Sequence, residues 1–279
     1  MSEFLKGKAA VITGGGGVLC GELARGLSKC GVKVALLDLN KERADQIADS
    51  ITKDGGTAIG VECNVLDQSS TQKAYQTVID AFGDFDILIN GAGGNSPKAS
   101  TTNEVFDLKD MDNPDTVSFF DLPKEGFEFV FGLNIMGTLI PTQVFGKHLV
   151  KKQGGSILNI SSMNAYTPLT KIPAYSAAKA GISNFTQWLA VHFAPVNIRV
   201  NAIAPGFFLT EQNRTLLTNP DGSLTPRSDK ILTHTPMKKF GTPADLNGAV
   251  EFLLDDNKAG FVTGIILPID GGFSAYSGV

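Results

Sequence analysis

Four polar side chains carry chemistry in an otherwise apolar setting. Tyr175 and Lys179, in the run Tyr175-Ser176-Ala177-Ala178-Lys179, place a phenol and an ammonium at i and i+4, neighbours on one helix face. Upstream, Ser162 closes the strand-like segment SILNISS, where a strand carboxyl end can turn a hydroxyl toward the same pocket. Asn134 sits inside the apolar helical stretch FVFGLNIMGTL, an awkward place for an amide without a partner. A free phenol is a weak base with a pKa of about 10, and a neighbouring cation favours its phenolate. Such a pair can take a proton from a hydroxyl, while a serine donates to an oxygen that gains charge. Each residue alone also has a structural reading: core tyrosine, solvated lysine, capping serine, satisfied buried amide.

The second cluster is glycine, 31 of 279 residues. Thr13-Gly14-Gly15-Gly16-Gly17 ends the first strand-like run and opens a helix. Bare backbone close to phosphates requires glycine, and a helix N-terminus adds free N–H groups and positive dipole. A plain turn could carry the same letters, so position matters. The second strand ends in Asp38, an acid that can bond both ribose hydroxyls and repel a 2′-phosphate. Its structural reading is a cap for the helix beginning at Lys41. Leu39 and Asn40 offer no arginine for a phosphate, so NAD(H) is favoured over NADP(H).

These residues need elements to hold them. The pattern predicts strands at Ala9–Thr13, Lys33–Asp38, Thr57–Glu62, Asp86–Asn90, Ser156–Ser161, Ile198–Ala204 and Gly264–Pro268. Helical patterns run near Gly17–Cys30, Lys41–Lys53, Gln68–Phe82, Lys124–Lys152, Pro173–Ala194 and Pro243–Asp255. Alternation of this kind implies right-handed crossovers and a parallel sheet covered on both faces, an α/β doubly wound fold. No linker or repeat divides the chain, so one domain over 1–279 is expected. Two stretches break the alternation, Asn95–Leu122 and Gly206–Met237. Both follow strand carboxyl ends, where open α/β sheets bind ligands, and read as substrate loops.

Composition excludes other classes. A balance of 24 basic and 28 acidic residues argues against a nucleic-acid or anionic-membrane surface. Cys20, Cys30 and Cys63 are odd in number and lack CxxC spacing, and His148, His192 and His234 form no metal motif. No uninterrupted apolar run approaches a membrane span, and strand-like sequence begins at once. A cytoplasmic protein with reduced thiols is expected, without membrane or nucleic-acid partners.

In this order the motifs resemble the short-chain dehydrogenase/reductase family over nearly the whole chain. The matching pieces are the glycine turn, Asn64-Val65, Asn90-Gly91-Ala92-Gly93, Asn134, Ser162, Tyr175-x-x-x-Lys179 and Pro205-Gly206 with Thr210. The resemblance implies a Rossmann domain with a seven-stranded parallel sheet, assembled as a homotetramer. The apolar stripe Phe185, Trp188, Leu189, His192 and Phe193 reads as core more often than as interface. The resemblance also implies that NAD(H) is held by Gly14, Gly16, Gly17, Val18, Leu19, Asp38, Asn64, Val65, Asn90, Gly91, Ala92, Pro205, Gly206 and Thr210, together with Tyr175 and Lys179. The catalytic set it implies is Asn134, Ser162, Tyr175 and Lys179. Tyr175 is the base, Lys179 lowers its pKa and binds the nicotinamide ribose, Ser162 donates to the substrate oxygen, and Asn134 holds a water for proton relay. Thr210 would hold the carboxamide.

There are departures. Counting from Thr13, the family's second and third turn glycines fall on Val18 and Cys20. Asn64 replaces a common aspartate, though its amide oxygen can still accept from adenine; Gly91 replaces a frequent asparagine; and Asn95–Leu122 lengthens the chain between Asn90 and Asn134. Stretches from SSMNAYTPLTKIPAYSAAKAGISNFTQWLAVHFAP to the ending DGGFSAYSGV resemble the D-mannonate oxidoreductase (fructuronate reductase) branch. The implied reaction is NAD(H)-linked interconversion of D-mannonate and D-fructuronate. The alternatives are another sugar acid, polyol or ketone, such as gluconate, or a non-catalytic dinucleotide- or sugar-sensing protein. A sugar acid asks for a cation and a polar wall. Arg214 in TEQNR is the candidate for its carboxylate, with Lys98, Lys171 and Arg227 competing from loops; Ser162 and Asn164 are candidates for its hydroxyls.

Overall fold

Runs rich in Val, Ile, Leu and Ala form seven parallel strands in a computed structural model that describes residues 2–210 and 217–278. They are β1 (Ala9–Thr13), β2 (Lys33–Asp38), β3 (Ala58–Glu62), β4 (Ile87–Asn90), β5 (Gly155–Ile160), β6 (Ile198–Pro205) and β7 (Ile266–Ile269). Their order in the single sheet is β3-β2-β1-β4-β5-β6-β7. The winding therefore reverses between β1 and β4, which opens a crevice at their carboxyl ends. The register there sets Thr13 beside Leu37 on one side and Asn90 on the other.

The helices are α1 (Val18–Lys29), α2 (Lys41–Lys53), α3 (Gln68–Phe82), α4 (Lys124–Phe131), α5 (Gly137–Lys152), α6 (Pro173–Phe193), α7 (Pro226–His234) and α8 (Asn247–Leu254), with a further short turn at Asp256–Ala259. Strand residues alternate between two cores because successive side chains point to opposite faces. Ala10 and Ile12 join Leu23, Leu27 and Leu253 on one face, while Ala9 and Val11 join Val78, Phe145, Leu149 and Leu189 on the other. Burial of each large apolar side chain is worth about 1.5–3 kcal/mol, and this clamps the strand ends that carry the site.

Three differences from the sequence reading matter. Lys124–Lys152 is not one regular helix: a π turn at Gly132–Met136 separates α4 from α5, and Asn134 lies in it. Widened turns of this kind concentrate at functional sites. The stretch is also apolar and long enough to cross a bilayer, the one such helix among the described residues, although no uninterrupted apolar run announces it. Half of its most apolar window is buried inside the protein, and Phe145 and Leu149 of the same stretch lie in the core. Within Gly206–Met237, Pro226–His234 is helical; Thr225 caps it with Pro226 at its first turn. Thr-Pro is a recognisable helix start. Finally, the α6 stripe divides: Leu189 is buried, whereas Trp188 is 56% exposed and stacks on exposed His192.

Candidate active site

The crevice is floored by glycine. Gly14 has φ +66°, and a methyl added there would lie 2.9 Å from the Ala92 nitrogen. A methyl on Gly16 would meet Asp38 Oδ2 at 3.0 Å. Asp38 accepts from Gly16 N through Oδ2 (3.0 Å) and from Asn40 N through Oδ1 (2.9 Å). The α2 cap is Asn40, which accepts from Arg43 N, so Asp38 is not spent on that helix. No described side chain caps α1, whereas Asn40 and Asp67 cap α2 and α3. The first turn of α1, with Val18 and Leu19, thus presents backbone N–H groups beside Gly17. An uncapped helix N-terminus, a bare backbone turn and a carboxylate at the next strand end are a donor and acceptor set that fits a dinucleotide without a 2′-phosphate.

The departures at positions 20 and 91 explain each other. Cys20 is buried in α1, and a methyl on Gly91 would lie 2.1 Å from its Sγ and 2.9 Å from the Thr13 carbonyl. A side chain on α1 at this point requires none on the loop after β4. Burial pushes the Cys20 thiol up to about 12, so it is a spacer and not a nucleophile. Thr13 Oγ1 ties the same loop down, accepting from Gly91 N (3.1 Å) and Ala92 N (3.2 Å).

Two of the residues expected at the dinucleotide already have side-chain partners. The Asn90 side chain points into the helix layer, donating to Thr142 Oγ1 and Asn159 Oδ1 at 2.9 Å each. Its Nδ2 is thereby engaged, while Oδ1 is buried without a partner among the described residues. Asn64 already uses its amide oxygen to accept from Leu66 N (3.0 Å), and Val65 is buried where Gly137 makes room for it. Gly206 donates to the Ile269 carbonyl, and a methyl on it would meet Asp270 Cα at 2.6 Å. Thr210 is half-buried just beyond.

Ser162, Tyr175, Lys179 and Asn134 converge at the carboxyl end of β5. Ser162 caps a short turn, Met163–Ala165, by accepting from Asn164 N at 3.2 Å, and its hydroxyl is near enough to the Tyr175 phenol to pull that group's pKa down. The capping reading holds for it. Lys179 is buried; its Nζ donates to the Ile160 carbonyl at 2.7 Å and lies 5.7 Å from the Tyr175 ring centroid. Burial drives the Lys179 pKa down to about 8 and pushes the Tyr175 phenol up, with the Ser162 hydroxyl opposing the latter. Asn134 donates to the Gly94 and Val130 carbonyls (2.8 Å each) and accepts from Gly94 N (3.3 Å), so its amide is fully engaged. A methyl on Gly93 would sit 2.6 Å from Asn134 Oδ1 and 3.2 Å from Lys179 Nζ. Absence of that methyl lets the two groups share one wall.

Residues not singled out by type hold this arrangement. Thr138 Oγ1 donates to the Asn134 carbonyl and Thr142 Oγ1 to the Thr138 carbonyl. Asn159 Nδ2 donates to Thr186 Oγ1, and Ser161 Oγ to the Lys179 carbonyl, fixing α6 to β5. The spacing Asn134, Thr138, Thr142 is a helical i, i+4 row and was a usable signal.

At the mouth, Lys98 is exposed on the turn Pro97–Ala99. Lys171, at φ +71°, accepts Thr101 N through its carbonyl. Arg227 is exposed on the first turn of α7 and not on a loop. Glu104 pairs with Lys230 of α7, and that bond, with Lys171 nearby, holds its carboxyl below the usual range. The Asn95–Leu122 excursion is thereby joined to both other walls. Arg214 lies outside the described residues.

Comparison with known proteins agrees with this geometry. Residues 8–221 match the family model for short chain dehydrogenases. An uncharacterized oxidoreductase, UxuB, of Bacillus subtilis (strain 168) is 53% identical over 279 residues, covering 100% of this chain and 99% of that protein. A crystal structure from Haemophilus influenza with bound NAD, named as a proposed D-mannonate oxidoreductase, is 56% identical with a TM-score of 0.94, covering 99% of this chain and 98% of that one. A 7α-hydroxysteroid dehydrogenase complexed with NADH and 7-oxo glycochenodeoxycholic acid is 31% identical with a TM-score of 0.82, covering 96% and 94%.

Proposed function

This chain belongs to the short-chain dehydrogenase family, and on that premise we propose that it interconverts D-mannonate and D-fructuronate with NAD(H). The observation that carries the reading is the convergence of Ser162 and Tyr175 with buried Lys179, whose Nζ lies 5.7 Å from the Tyr175 ring centroid. When bound, NAD(H) supplies the hydride acceptor or donor. Gly14, Gly16, Gly17, Val18, Leu19 and Asp38 would hold its adenosine and phosphate end, with the backbone of Asn90, Gly91 and Ala92 and the Asn64-Val65 segment beside it. Lys179, Pro205, Gly206 and Thr210 would hold the nicotinamide end.

In alcohol oxidation Tyr175 takes the hydroxyl proton, and Ser162 donates to the same oxygen as it becomes a carbonyl. Burial raises the phenol pKa, so an adjacent positive charge is needed for it to act as a base near neutrality. Lys179 at about 8 is still mostly protonated there and supplies that charge. Asn134 acts by position: its amide pins Gly94, and a water held beside it would return protons to Lys179.

Support for the substrate is the 56% identity to the proposed D-mannonate oxidoreductase across nearly the whole chain. Arg214 takes the carboxylate by its place after Thr210, with Lys98, Lys171 and Arg227 as the alternatives. The protein works as a cytoplasmic homotetramer in this reading. The experiment is an NADH assay of purified protein against D-mannonate, gluconate, other sugar acids, polyols and ketones. Turnover of D-mannonate well above the rest is the expected result; preference for another substrate replaces the substrate assignment, and no turnover with any of them removes it.

A further inference from the structure

Asn164 is 5% exposed in the turn that Ser162 caps, and its own N–H touches Ser162 Oγ. Its amide has no hydrogen-bond partner among the described residues: Oδ1 is sealed from solvent and unpaired, while Nδ2 is not sealed. Whichever way the amide is turned, one polar end is buried alone and the other is left open. An unpaired buried polar atom destabilises a fold, and an apolar side chain of similar shape would avoid that cost. Position 164 is therefore held against local stability, which a task for the open end explains.

We propose that Asn164 determines specificity by hydrogen-bonding a hydroxyl on the carbon next to the reacting one. The site then selects α-hydroxy ketones and vicinal diols over isolated ketones and alcohols. A hydroxyl both donates and accepts, so it pairs with either end of an amide. The inference rests on the reading that Ser162 and Tyr175 hold the reacting oxygen, Ser162 being two residues from Asn164 in the chain.

The test is reduction by NADH of acetoin and of 2-butanone, which differ by that one hydroxyl. It compares wild type with Asn164→Leu and, should that variant fold poorly, Asn164→Ala. Melting temperature is measured for each. Wild type should favour acetoin by about 10-fold in kcat/KM, and the ratio should collapse toward one in the variants. The Leu variant should melt no lower than wild type. A wild type that reduces acetoin no better than 2-butanone, variants that keep the preference, or a Leu variant that folds but melts several degrees lower would each overturn the inference. If D-mannonate is not a substrate yet the acetoin preference stands and vanishes in the variants, only the sugar-acid reading falls.

Discussion

At the scale of single residues, the site is a set of side chains whose ordinary chemistry is displaced by burial. Tyr175→Phe keeps the ring and removes the transferable proton, so turnover should fall by about 100- to 10 000-fold while NADH still binds. Steady-state rates alongside a fluorescence titration with NADH check this; near-normal turnover in a cofactor-binding variant would remove the mechanism. The Lys179 value of about 8 sets a pH dependence. Alcohol oxidation should fall as pH increases through that region, because neutral Lys179 no longer supplies the charge that lets the Tyr175 phenol act as a base. A profile of kcat/KM against pH reads it. Stability shifts the other way: the lysine binds its proton more weakly folded than unfolded, so this group's contribution increases from about pH 8 toward 10.5. Asp38→Ala should weaken NAD(H) far more than NADP(H), since a hydroxyl acceptor and a phosphate repeller leave together. Binding constants for both cofactors decide it, and a wild type that already prefers NADP(H) contradicts the placement of Asp38.

At the scale of elements, packing decides which departures from a motif are tolerated. Cys20 on α1 and Gly91 after β4 occupy one space, so Gly91→Ala should lower NADH affinity and melting temperature. Adding Cys20→Ala should recover part of both, because the 2.1 Å approach to Sγ disappears while the 2.9 Å approach to the Thr13 carbonyl stays. Isothermal titration and thermal melts of the single and double variants measure the coupling, and purely additive losses would mean that the two positions do not share space. The Asn95–Leu122 excursion is tied to α7 by Glu104 and Lys230, and to the segment before α6 by Thr101 and Lys171. Glu104→Gln should loosen that excursion and leave the glycine turn alone. Faster amide exchange confined to 97–121 and its neighbours is the expected signature; unchanged exchange would show that the ion pair holds nothing.

At the scale of the whole molecule, the exposed part of α6 is the feature that a lone copy leaves unexplained. Trp188 and Val191 are 56% and 79% exposed, and the indole lies flat on His192 at 4.6 Å. A contiguous apolar and aromatic strip of this kind marks an interaction surface. The homotetramer expected from the family resemblance should therefore bury Trp188. Light scattering should give four copies at micromolar concentration, and Trp188→Asp should reduce that number. A fully active wild-type monomer would refute the assembly.

What the sequence determined by itself follows from periodicity and local chemistry. Parallel strands buried on both faces must be apolar throughout, so β1, β2 and the central strands announce themselves, and α2 and α3 match their expected bounds because Asn40 and Asp67 cap them locally. The proposed catalytic groups were legible for the same reason: Tyr175 and Lys179 share one helix, and Ser162 follows one strand. Other features were decided only when distant segments met. Neither Cys20 nor Gly91 shows its reason until α1 lies on the loop after β4. The Asn90 side chain is claimed by Thr142 and Asn159, from an element far along the chain and from the neighbouring strand. The amide of Asn134, within the π turn, bonds Gly94, forty residues away. Local sequence specifies backbone preference and which face is apolar. The partners that satisfy a buried polar group come from wherever the fold brings them, and only tertiary structure can supply those.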